Sequence, residues 1–241
     1  MSLEVRASSM TEPPSLAARS IAIGVDEQRQ VSGLLLAPEG ARACYVVAHG
    51  AGAGMTHPFM VAVANGLAER RIATVRYQFP YMEEGARRPD QPTVAQATVR
   101  AAVREAARLL PGLPLFAGGK SFGGRMSSQA QAASPMAGVK GLIILGFPLH
   151  PPDRPSADRA RHLSGVRVPM LFLQGTRDKL AQSELLQPLI KQLGDRATLR
   201  LLQEADHSFH VPARSGRNDS DLMAEMLDAL ADWAERIMLR P

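Results

Sequence analysis

A serine framed by glycines, Gly118-Gly119-Lys120-Ser121-Phe122-Gly123-Gly124, is the first chemical signal in the chain. Gly119 and Gly123 flank Ser121 at the G-x-S-x-G spacing of a nucleophile elbow. The apolar run Leu113 to Ala117 reads as a buried strand before it, and Arg125 to Ala133 reads as a helix after it. Ser121 therefore stands at a sharp strand-to-helix turn. Such a turn strains the serine backbone and leaves no room for side chains on either side, which is why glycines flank it. It also exposes the hydroxyl at a helix N-terminus, where free N–H groups favour negative charge. Gly119-Lys120-Ser121 imitates the end of a phosphate-binding P-loop, but that loop needs a glycine where Pro114 stands.

A serine hydroxyl is a weak nucleophile until a base takes its proton, and the base needs a carboxylate to orient it. Asp178 and His207 are the candidates, each placed just after an apolar strand-like run. Asp206 is adjacent to His207 and poorly placed to face it, and His210 lies further from the strand end. His150 and His162 precede the acid. The reaction also needs donors for a developing oxyanion. The N–H of Phe122 follows from the elbow, and that of Ala51 from His49-Gly50-Ala51-Gly52, which resembles an H-G-G-G oxyanion loop. A dinucleotide reading of Gly50-x-Gly52 fails, because Met55 stands where a small residue is required.

Positioning these groups requires a frame. Ile21 to Val25 and Val31 to Ala37 read as an antiparallel hairpin. Ala43 to Ala48, Ile72 to Tyr77, Leu113 to Ala117, Val139 to Leu145, Pro169 to Leu173 and Thr198 to Leu202 read as further strands. Helices are expected over Met60 to Arg70, Thr93 to Leu110, Arg125 to Ala133 and Leu185 to Leu193, and from an N-cap near Ser220 to the end. This alternation gives an α/β fold, a mostly parallel sheet of about eight strands covered by helices on both faces. Ligands of such sheets bind beyond the carboxyl ends of the strands. His49, Ser121, Phe147, Asp178 and His207 all follow strands and converge on that edge. His49, Gly50, Tyr81 and Phe147 are expected to touch substrate, in a cleft walled by Phe79-Pro80-Tyr81 and Phe147-Pro148.

From about Ile21 onward the chain resembles the α/β-hydrolase superfamily, and within it the small dienelactone-hydrolase-like and carboxylesterase-like predicted hydrolases. The order Ser121, Asp178, His207 and the elbow glycines carry the likeness. It implies a hydrolytic mechanism without metal or organic cofactor. Dienelactone hydrolases proper use a cysteine where Ser121 stands, so lactone specificity is not implied. Lys120 is uncommon in esterases; it could point a cation at the site, and the surface is the favoured reading. Only Phe147 to Val166 separates two strands where larger relatives insert a cap, so an open cleft and a small substrate are expected.

With 241 residues, 45% hydrophobic and 21% charged, the chain suits one soluble α/β domain, residues 19–241, behind a flexible tail, residues 1–18. The net charge of +5 comes from scattered arginines without interleaved aromatics, which argues against nucleic acid as a partner. No stretch has the length and apolarity of a membrane span or a secretory signal. Cys44, the lone cysteine, reads as a core residue and fits a cytoplasmic setting. The expected function is hydrolysis of a small acyl ester or thioester by Ser121, His207 and Asp178, with a non-catalytic scaffold of the same fold as the alternative. The oligomeric state is not legible in the sequence.

Overall fold

The computed structural model describes residues Ala17–Arg240, so the expected tail lies, as far as residue 16, outside the described residues. The chain opens with the hairpin β1 (Arg19–Gly24) and β2 (Gln30–Leu36). Then follow β3 (Ala43–Ala48), α1 (Pro58–Glu69), β4 (Ile72–Tyr77), the single turn α2 (Pro80–Glu83) and α3 (Pro92–Leu109). β5 (Leu115–Lys120) leads directly into α4 (Phe122–Ala133), and β6 (Val139–Leu145), β7 (Met170–Gly175), α5 (Ser183–Leu193), β8 (Ala197–Leu202) and α6 (Asp219–Met238) complete the order. Between β6 and β7 the only regular structure is a 3-10 turn, Asp158–Gly165, and no cap domain is present among the described residues.

All eight strands join one sheet in the order β1-β2-β4-β3-β5-β6-β7-β8. β2 pairs antiparallel with β4, and every pairing from β4 through β8 is parallel. Strands covered on both faces should be apolar throughout, and β3 is buried at every position. Its alternate residues serve opposite faces. Ala43, Tyr45 and Val47 pack with the buried side chains of α1 and α6, while Cys44, Val46 and Ala48 pack with those of α3, α4 and α5. Burial pushes the Cys44 thiol up to about 12, so it serves as a small core residue.

The sheet order contains its own pointer to a site. After β3 the chain crosses one face through α1 to reach β4, and then the other face through α3 to reach β5 on the far side of β3. The loops that leave β3 and β5 therefore part to opposite faces and open a crevice at the carboxyl ends of these two strands. His49-Gly50-Ala51 leaves β3 there, and Ser121 leaves β5.

Several boundaries differ by a few residues from the sequence reading, those around Ser121 and at the start of α6 among them. β5 runs on through Gly118 and Gly119 to Lys120, and α4 begins at Phe122, so Gly123 and Gly124 form its first turn. α6 is capped by Asn218, not Ser220: the Asn218 side chain accepts the Asp221 N–H at 2.8 Å. Asparagine is as good a cap as serine, and the Ser220 hydroxyl itself donates to Asn218.

Candidate active site

Ser121 has φ 49° and ψ −111°, a conformation that serine adopts only when its surroundings impose it. The imposition is steric and hydrogen-bonded. A Cβ on Gly119 would lie 2.2 Å from the Ala48 carbonyl oxygen, and one on Gly123 would lie 2.6 Å from the same oxygen. The elbow is thus pressed against the end of β3, and only glycine permits that approach. The Ser121 N–H donates to the Leu145 carbonyl at 3.0 Å, tying the turn to β6.

The acid and the histidine come from two loops zipped to each other. Arg177 N–H donates to the Ala205 carbonyl at 2.9 Å, and Glu204 N–H to the Thr176 hydroxyl at 2.9 Å. A Cβ on Gly175 would lie 2.3 Å from the Ala205 oxygen, so this packing also requires a glycine. Asp178 is buried; its Oδ1 accepts the Leu180 N–H at 2.8 Å, and its Oδ2 accepts from the Gln174 amide. The same Oδ2 accepts from His207 Nδ1 at 2.7 Å. With its proton on Nδ1, His207 presents an unprotonated Nε2 to Ser121, whose hydroxyl donates to it at 2.9 Å. Asp206 is occupied elsewhere, its carboxylate accepting the Ser208 and His210 N–H groups and shaping the loop that carries His207.

Two cavities meet at Ser121. One, of about 400 Å³, runs past Phe122, Arg125, Asp90, Pro148 and Arg159. The other, of about 380 Å³, is bounded by Gly50, Phe59, Met60, Lys120 and His207. Ala51 lines both. Phe122 opens α4, so its N–H has no partner within the helix. The Ala51 N–H meets no backbone or side-chain acceptor among the described residues.

Other expected contact residues lie one layer back. His49 is fully buried: its Nδ1–H donates to the Gly50 carbonyl at 2.8 Å and its Nε2 accepts the Phe79 N–H at 3.1 Å. Burial holds its pKa below the usual histidine value, so it stays a neutral bridge between the β3 and β4 loops. Tyr81 is buried as well, and its hydroxyl accepts the Gly52 N–H at 3.0 Å. Phe147 packs edge-on against Phe172. None of the three lines either cavity, whereas Gly50 and Pro148 do. They hold the walls in place: each side chain follows its strand into the core, which the sequence order alone does not show.

Lys120 departs most from expectation. It is not a surface lysine. Its ammonium donates to the His207 carbonyl and lies 4.8 Å from the centre of the Phe209 ring, which stacks on Phe59. Burial pulls its pKa down to about 8, against the pull of Asp178 and Asp206. The glycine at 146 leaves just enough room, since a Cβ there would be 3.0 Å from the Lys120 nitrogen. Arg125, one helical turn beyond Ser121, and Leu180, beside Asp178, also line the site without having been singled out in the sequence. The spacing from Ser121 to Arg125 was the available signal, because residues four apart share a helix face.

A second Ser–His contact exists. Ser128 lies 2.8 Å from His162 Nε2, but its hydroxyl donates to the Arg125 carbonyl at 2.9 Å. Ser128 is fully buried, so no substrate reaches its hydroxyl. Among the described residues, no group of three or more His, Cys, Asp or Glu side chains is placed to hold a metal ion, and no helix is long and apolar enough to cross a membrane.

A family model described as an alpha/beta hydrolase domain matches residues 41–235. Solved structures with the same fold include a serine hydrolase without a lid from Xanthomonas campestris, at 21% identity and a TM-score of 0.71, with 92% of this chain and 98% of that one covered. A serine hydrolase homologue from Coxiella burnetii is 19% identical with a TM-score of 0.72, covering 90% of this chain and all (100%) of the other. A dienelactone hydrolase from Anabaena variabilis is 21% identical with a TM-score of 0.72, covering 92% and 96%. At these identities the likeness is one of fold.

Proposed function

The chain belongs to the alpha/beta hydrolase domain family, and from that premise we propose that it is a serine hydrolase that cleaves small acyl esters or thioesters. The observation that carries the reading is the unbroken hydrogen-bonded series from Ser121 through His207 to Asp178, with 2.9 Å and 2.7 Å links. Ser121 Oγ attacks the substrate carbonyl carbon while His207 Nε2 takes its proton. Asp178, buried and accepting at Nδ1, stabilises the imidazolium. The carbonyl oxygen becomes an oxyanion between the N–H groups of Phe122 and Ala51. Collapse expels the alcohol or thiol, which receives the proton from His207 and leaves an acyl group on Ser121. Water, deprotonated by the same histidine, attacks that acyl group; the second collapse frees the acid and restores Ser121.

The short β6–β7 connection supports a small substrate, since the described residues offer no cap to cover a long acyl tail. p-Nitrophenyl acetate and butyrate should be cleaved faster than long-chain esters, and EDTA should leave the rate unchanged. The direct test is a fluorophosphonate probe on the purified protein with mapping of the labelled residue. Labelling at Ser121 is the expected result. No labelling and no ester turnover from folded protein would leave the non-catalytic scaffold as the reading.

A further inference from the structure

The two cavities at Ser121 have different chemistry. The alcohol released in the first half-reaction must lie beside His207 Nε2 to receive its proton, and of these two cavities His207 lines the one bounded by Phe59 and Met60. That leaves the cavity lined by Phe122, Arg125 and Arg159 for the acyl group.

That acyl-side cavity is cationic without any evident structural reason. Arg88, Arg125 and Arg159 line it against a single acid, Asp90, whose carboxylate accepts the Tyr81 N–H. None of the three arginines is in a salt bridge among the described residues. Arg125 is half-buried, and its Nε is a buried donor without a partner. Burial and then the neighbouring Arg159 charge both push the Arg125 pKa down from its ordinary value. His162 nearby is held at about 4 by burial and by Arg125, so it contributes no further charge at neutral pH. Two guanidiniums facing one cavity with no carboxylate paired to either, one with a stranded donor, are unfavourable in the unliganded fold. A ligand carboxylate in the cavity would supply the missing counter-charge, because it accepts the paired N–H groups of a guanidinium.

We propose that the acyl cavity is a carboxylate-binding subsite and that the preferred substrates are monoesters or monothioesters of dicarboxylic acids, their free carboxylate held by Arg125 and Arg159. The inference rests on the hydrolase reading above and specifies its substrate class. Arg88, exposed on the loop before α3, adds long-range attraction at the mouth of the cavity.

The test compares kcat/KM for the p-nitrophenyl monoester of adipic acid with that for p-nitrophenyl hexanoate, a chain of equal length without the charge. The adipate ester should be favoured at low salt by about tenfold or more, as expected for one charge-assisted contact. The ratio should fall as the ionic strength is raised to about 0.5 M. Arg125→Gln and Arg159→Gln should each lower the ratio about tenfold, and the ratio cancels any general loss of activity. Should Arg125→Gln fail to fold, since that guanidinium also lies over the Phe122 ring, Arg159→Gln and the salt dependence carry the test. A ratio of one or less in the parent protein, or a ratio indifferent to both substitutions, overturns the subsite while hexanoate turnover leaves the hydrolase reading standing. Absence of turnover for both esters together with absence of fluorophosphonate labelling removes the hydrolase reading, and the subsite with it.

Discussion

Replacing Asp178 by asparagine keeps the shape of the side chain and changes the direction of its hydrogen bonds. Three donors converge on the carboxylate: His207 Nδ1–H at 2.7 Å and the Gln174 amide on Oδ2, and the Leu180 N–H at 2.8 Å on Oδ1. Asparagine has one oxygen for these three. If that oxygen faces Leu180, the new NH2 meets two donors. The imidazole can then engage it only by accepting at Nδ1, which puts the ring proton on Nε2, toward Ser121. Gln174 cannot turn over freely, because its Oε1 accepts the Phe147 N–H at 2.8 Å. If the oxygen faces His207 instead, the NH2 opposes the Leu180 N–H. Either arrangement sacrifices one buried bond to a charged acceptor, about 1.5–3 kcal/mol. At about 2–4 °C per kcal/mol for a chain of this size, the Tm should fall by several degrees. Catalysis suffers more: the first arrangement gives the wrong tautomer and the second leaves the imidazolium without a counter-charge, so kcat should drop about 10⁴-fold, some 5.5 kcal/mol of barrier. Asp178 lines neither cavity, so KM for p-nitrophenyl butyrate should hold. Steady-state kinetics on Asp178→Asn, with a melting curve beside them, decide the matter. A kcat within tenfold of the parent, or a loss confined to KM, would refute the assignment of Asp178.

Ser121→Ala should fold normally, lose fluorophosphonate labelling and lose about 10⁶ in kcat, and adding His207→Ala should change little more, because the members act as a unit; substantial residual turnover would point to another nucleophile. Gly119→Ala should lower stability to urea by about 3 kcal/mol or more, since its Cβ would overlap the Ala48 carbonyl. Gly216→Ala, also at positive φ but with open space around it, should lose only about 1–2 kcal/mol; equal losses would contradict the steric account of the elbow. Lys120 is pulled down to about 8 from 10.5, so between those values the unfolded chain holds a proton that the folded chain has released. Stability from this group is therefore greatest above 10.5 and is lost as the pH falls through 8. The parent should gain on Lys120→Met when both are unfolded at pH 8 and again at pH 10; parallel behaviour would place the lysine in water.

Much of this was determined by the sequence itself, because local physics is written in local patterns. Continuous apolar runs marked strands covered on both faces, as at Ala43 to Ala48, and glycines around Ser121 marked a turn that tolerates no side chains. The Asn218 cap shows the limit of that reading, since Asn218 and Ser220 offer similar oxygens and the fold used the earlier one. Tertiary structure decided what each side chain meets. Lys120 is buried because a carbonyl 87 positions away, at His207, closes over it and two phenylalanines stack beside it. His49, Tyr81 and Phe147 support the cleft rather than line it, because their rings meet the β4 loop, the β3 loop and β7 respectively. Arg125 and Arg159 share a cavity only because α4 and the turn after β6 pack together. Periodicity tells a residue which face of its own element it occupies; the identity of the neighbour across that face depends on contacts between distant segments, and in this protein those contacts set the charge of the cleft.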